Sequence, residues 1–242
     1  ANLDAQVRRM LADPRAVNLA RNFTGQWLQA RDVEGIASNP RDIILRDAGE
    51  EGLLGELFMA WRAQDEKKAK ELAARVESIV DAKADLSNKV RAAMRQETEQ
   101  YFAYVMRENR PITEFIQSDY TFVNELLANF YGIPQVTGEE MRKVTLPAGS
   151  PRGGMLTQGS ALLVTSNPDR TSPVKRGLFV LANFLGTPPP PPPANVPALE
   201  ASDAPINGKQ PLLRDVLKVH RVSPMCASCH NRMDPIGLPF EN

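Results

Sequence analysis

The chain has 242 residues, with 42% apolar and 24% charged side chains and a formal net charge of zero. That is enough chain for one large domain or two modest ones, in the ordinary range for a globular protein. The even charge balance argues, if weakly, against a nucleic-acid partner. No stretch reaches the ~20 apolar residues that span a bilayer, so no transmembrane segment is expected in this chain.

Residues 1–35 read as two helices broken at Asp13-Pro14. Leu3, Val7, Met10 and Leu11 form one apolar stripe; Val17, Ala20, Phe23, Trp27 and Leu28 form a second. Trp27 reads as a core anchor. Leu53, Leu54, Leu57, Phe58 and Trp61 have helical spacing, and Asp65 to Leu86, rich in Lys, Glu and Ala, reads as a solvated helix or helical hairpin. Residues 89–108 predict a strong helix with Val90, Met94, Tyr101, Phe102 and Val105 inward. Residues 119–131 predict another, stopped by Gly132 and Pro134.

After Ile133 the pattern changes. Pro and Gly become frequent and helical periodicity fades. Val144-Thr145-Leu146 and Ala161 to Thr165 read as short strands or buried turns, and Arg176 to Leu185 as one more helix closed by Gly186. Pro188 to Pro193 favour the polyproline II form, at about 3.1 Å per residue a stiff strap of roughly 19 Å. It suits a rigid connector or a partner-docking segment. Leu212 to Val219 is a short helix. The expected fold is mainly α. A helical bundle occupies residues 1–135, and an irregular, Pro-rich domain with the strap at 188–193 occupies residues 136–242.

Near the carboxyl end stands Cys226-Ala227-Ser228-Cys229-His230, which holds both cysteines of the chain and one of its two histidines. It matches the attachment pattern of c-type haem. Two thiols add across the haem vinyl groups, and the adjacent imidazole ligates the iron from below. Three other readings compete. A redox dithiol expects a βαβ setting with the pair at a helix start. A structural zinc ion needs four closed ligands. A disulfide over this spacing closes too small a loop to stabilise much. The pattern favours one haem c, with Cys226 and Cys229 as attachment sites and His230 as proximal iron ligand.

Only 12 residues, 231–242, follow His230, too few to bury a macrocycle. Its cover must come from earlier residues, a further tail or another subunit. Met155 and His220 are the leading distal-ligand candidates; Met225 and Met233, neighbours of the motif, would struggle to reach the opposite face, and a ligand outside this segment or an open sixth position are the alternatives. The proximal imidazole should donate its second N–H to a carbonyl, with Asp234-Pro235 and Leu238-Pro239 nearby. Arg170 and Arg176 suit the anionic propionates, their alternative being surface solvation and helix capping. Haem is attached to such motifs outside the cytoplasm, so a periplasmic or otherwise extracytoplasmic location is expected, with an export signal on the precursor and more chain beyond Asn242.

Several stretches carry a family resemblance. They are Tyr120 to Glu125, Tyr131-Gly132-Ile133-Pro134, Leu156 to Ser160, Arg170 to Gly177, the proline run, and Cys226 to Gly237. Together they resemble the planctomycete-type cytochrome c proteins, large exported multidomain chains. The resemblance implies covalent haem through Cys226 and Cys229, His230 as ligand, and further domains on both sides. His220-Arg221 also looks like the family pattern. Met155 departs from it, since a plain aliphatic residue is usual there, and residues 62–88 look like an insertion. The expectation is an electron carrier serving redox protein partners, or a subunit of a larger membrane-associated complex. The alternatives are a haem-dependent oxidoreductase, peroxidase-like or dehydrogenase-coupled, with an open distal site, and a structural subunit in which haem is incidental. With no acid–base pair near the motif beyond His220, transfer is favoured over catalysis.

Overall fold

The computed structural model describes residues 2–80, 86–191 and 213–241. The protein is mainly α, as its periodicity predicts. It forms two compact units, residues 1–170 and 171–242.

In the first unit, α1 (Asn2–Ala12) ends at Asp13, whose carboxylate accepts the Arg15 N–H at 2.8 Å and starts the turn Pro14–Ala16. Then follow α2 (Val17–Trp27), α3 (Pro40–Asp47), α4 (Leu53–Arg62), α5 (Glu66–Ile79) and α6 (Asn88–Arg107). Helices α5 and α6 start on side-chain caps from Asp65 and Ser87. Leu45, Leu53, Ala60, Ala69, Leu72 and Val76 form one core, so the charged α5 buries an apolar stripe. Burying one such Leu contributes about 1.5–3 kcal/mol. Val90 and Met94 of α6 anchor a second core with Val123, Leu127, Ala128, Ile133 and Leu146.

The single helix expected over 119–131 is two elements. Tyr120–Val123 is strand β1, buried throughout. It pairs antiparallel with β2 (Arg142–Thr145), Tyr120 opposite Thr145. Asn124, extended, then caps α7 (Glu125–Tyr131) through a 2.9 Å bond from the Leu127 N–H. The aromatic and β-branched Tyr-Thr-Phe-Val run favours the strand. Gly132, at φ +71°, closes α7. A short turn, Met155–Thr157, leads to α8 (Gly159–Val164), so residues 161–164 are helical and not a strand.

A buried polar network ties these pieces together. Glu97 of α6, 1% exposed, accepts hydrogen bonds from the Thr121 hydroxyl and, at 2.7 Å, from the Tyr131 hydroxyl. Tyr131 Oη in turn accepts the Gly159 N–H at 2.8 Å, and the Arg152 guanidinium lies 3.6 Å from the Tyr131 ring centroid. Residues 136–170 therefore fold with the helical bundle.

In the second unit, Pro173 opens α9 (Pro173–Phe179), capped by Ser172. A π-helical turn, Val180–Phe184, continues it, and Gly186 at φ +61° follows the expected stop. Residues 188–191 have no regular element, and the rest of the proline run lies outside the described residues. After α10 (Leu213–His220) comes α11 (Pro224–Gly237). Helices α9 and α11 touch backbone to backbone. A Cβ on Gly177 would sit 2.0 Å from the Met233 carbonyl oxygen, and one on Gly237 would sit 1.8 Å from that of Pro173. The two contacts run in opposite chain directions, so the helices are antiparallel. Among the described residues no helix is long and apolar enough to cross a membrane.

Candidate functional site

The Cys-Ala-Ser-Cys-His motif lies in the first turns of α11. Ser223 is extended before the helix and Pro224 takes the first helical position, where its missing N–H costs nothing. The Ala227 N–H bonds the Ser223 carbonyl at 2.9 Å and closes the first turn. Helical spacing puts Cys226 and Cys229 side by side on one face, with Cβ atoms about 5–6 Å apart. Both are half-buried, and neither is in a disulfide.

His230 follows on the same turn, its side chain 15% exposed. Its Nδ1 lies 2.9 Å from Oδ1 of Asp234, one helical turn on. The Asp234 side chain is fully buried. Its other oxygen lies 3.7 Å from the Arg221 guanidinium and has no hydrogen-bond partner among the described residues. A ring nitrogen facing a carboxylate donates its proton, so Nδ1 is the nitrogen that Asp234 engages. The expected carbonyl acceptor is thus replaced by a side-chain carboxylate. Asp234 is near His230 in the sequence, but that its side chain and not a carbonyl would face the ring, with Arg221 beyond it, depends on the helix that sets residues 230 and 234 on one face.

The other expected site residues have different settings. Arg176 is 6% exposed; its guanidinium pairs with Glu241 and donates to the Phe240 carbonyl at 3.2 Å. It ties the C-terminal turn to α9. Arg170 is half-buried in the first unit, its carbonyl accepting the Asn167 N–H at 2.8 Å. Met155 is 1% exposed in the first unit, next to Gly154, whose φ of +75° and closeness to the Ile116 backbone leave no room for a Cβ. That is a packing position for a thioether. His220 is the last residue of α10, and its side chain lies outside the described residues.

Cys226, Cys229 and His230 are the residues of this helix that could hold a haem c. Val219, Val222 and Met225, close in sequence to the start of α11, are 59%, 80% and 56% exposed. Among the described residues no group of three His, Cys, Asp or Glu side chains converges as a zinc site requires. The described strands form one antiparallel pair in the first unit, not the βαβ setting of a thioredoxin-like dithiol.

Fold and motif together define a mainly helical protein of two units, the second presenting a Cys-x-x-Cys-His helix. Residues 1–133 match the PSD4 family, described as protein of unknown function (DUF1592), and residues 152–242 match PSCyt3, described as protein of unknown function (DUF1588). The first match covers 133 of 242 residues, and the chain belongs to the PSD4 family. Both are domains found in planctomycete-type cytochrome c multidomain proteins. No curated protein and no solved structure matches the chain.

Proposed function

We propose that this chain is a c-type cytochrome that carries one haem, attached through Cys226 and Cys229 with His230 as the iron ligand, and that it passes electrons to redox protein partners. It would do so within a larger extracytoplasmic, periplasmic protein or membrane-associated complex. The observation that carries this reading is one helical turn that holds two unpaired thiols side by side and a histidine whose Nδ1 is already engaged. Haem bound there supplies a one-electron ferric/ferrous couple. Cys226 and Cys229 fix the macrocycle edge, His230 offers Nε2, and Asp234 keeps the ring from turning. A haem-dependent oxidoreductase is the second reading. The His230–Asp234 pair favours it to this extent, that a carboxylate acceptor strengthens the imidazole as a donor and so favours the more oxidised iron.

The test is export of the protein in a host that attaches haem c, followed by haem staining on a denaturing gel. The wild-type band should stain, and a Cys226→Ala/Cys229→Ala double variant should not. Equal staining of the two, or an intact mass without porphyrin, removes the proposal. A six-coordinate low-spin absorption spectrum would support the carrier, and a five-coordinate one the oxidoreductase.

A further inference from the structure

We infer that Asp234 is the positioning residue that sets the electron affinity of the site, with Arg221 as its counterweight. This rests on the haem reading above and adds to it which group tunes the ligand. Asp234 is fully buried, with His230 Nδ1 at 2.9 Å from one oxygen. The other oxygen has no hydrogen bond among the described residues, and the Arg221 guanidinium stands off at 3.7 Å. The carboxylate's charge is therefore directed mainly at the imidazole, in an interior that screens it poorly.

A neutral carbonyl acceptor would orient the ring. A carboxylate also pulls on its Nδ1 proton, which makes Nε2 the stronger donor. A stronger donor stabilises ferric over ferrous iron and lowers the reduction potential. The geometry is held firmly. Residues on either side of Asp234, Met233 and Gly237, make the close backbone contacts with α9, so the carboxylate cannot slide along the helix. Partial neutralisation by Arg221 opposes the effect, so the two residues pull the potential in opposite directions.

The experiment is a spectroelectrochemical titration of the haem-loaded full chain, wild type against D234N and R221Q. D234N keeps the shape and removes the charge. It should stain for haem as before and lose at least about tenfold of its preference for the ferric form, a rise of about 59 mV for one electron. R221Q should shift the potential downward. A loaded D234N protein with the wild-type potential overturns the inference and leaves the haem reading standing. If D234N does not fold, R221Q decides, because Arg221 is 24% exposed and bonded only loosely: a lowered potential supports the inference and an unchanged or raised one overturns it. Wild-type protein that takes up no haem overturns both.

Discussion

Glu97 is a carboxyl group enclosed on all sides by α6, β1, α7 and the turn before α8. Burial pushes its pKa up to about 7 from 4.5, against the opposing hydrogen bonds of Thr121 and Tyr131 and the charge of Arg152. The sign of the consequence follows from linkage. Above pH 4.5 the unfolded chain gives up this proton while the folded protein keeps it until about pH 7. The stabilisation is complete below the lower value and is lost as pH rises through the upper one, by about 3 kcal/mol in all. Glu97→Gln cannot titrate, so the difference in unfolding free energy between variant and wild type should move in favour of Gln between about pH 5 and about pH 8. A difference that stays constant in urea melts at both pH values removes this account. Tyr131→Phe strands the Gly159 N–H, which is buried behind it, and should cost about 1–3 kcal/mol in the same melts.

At the scale of elements, the antiparallel pair α9 and α11 decides where the motif stands. Gly177 and Gly237 let the two backbones meet, and each would drive a methyl group into a carbonyl oxygen. Because the obstacle is backbone, a side-chain rearrangement cannot relieve it. Gly177→Ala and Gly237→Ala should each destabilise the second unit by about 3 kcal/mol or more, above the common cost of overpacking. Thermal melts followed by circular dichroism would register it, and a wild-type midpoint in either variant would show that the helices are not in such contact. Both glycines are visible in the sequence, but nothing in their neighbours marks them as the points where two backbones meet. The exchange of a helix for a strand at 120–123 has a similar cause. Phe122 and Leu126, and Val123 and Leu127, have the four-residue spacing of a helix, yet Tyr120 to Val123 gain more by pairing with Arg142–Thr145 than a helical turn would provide.

For the whole molecule, the first unit holds its own two cores and its own polar network within residues 1–170. Residues 1–170 expressed alone should therefore be helical by circular dichroism and melt cooperatively, and a broad, featureless transition would count against an independent unit. The boundary at 170 lies beyond the composition change near residue 135, since Gly159 and Arg152 reach back to Tyr131 and β2 reaches back to β1. Local patterns were legible. Residue spacing along a chain is a covalent fact, so Cys226, Cys229 and His230 announce themselves wherever they fold, and helical periodicity repeats every few residues in α2, α4 and α6. Contacts between distant segments carry no such signature. That Asp234 and not a carbonyl faces His230, that Arg176 is engaged by Glu241, that Met155 is enclosed, and that two glycines bring α9 against α11 all depend on which surfaces meet. Those meetings are chosen by the free energy of the packed chain as a whole, and no window of neighbouring residues contains it.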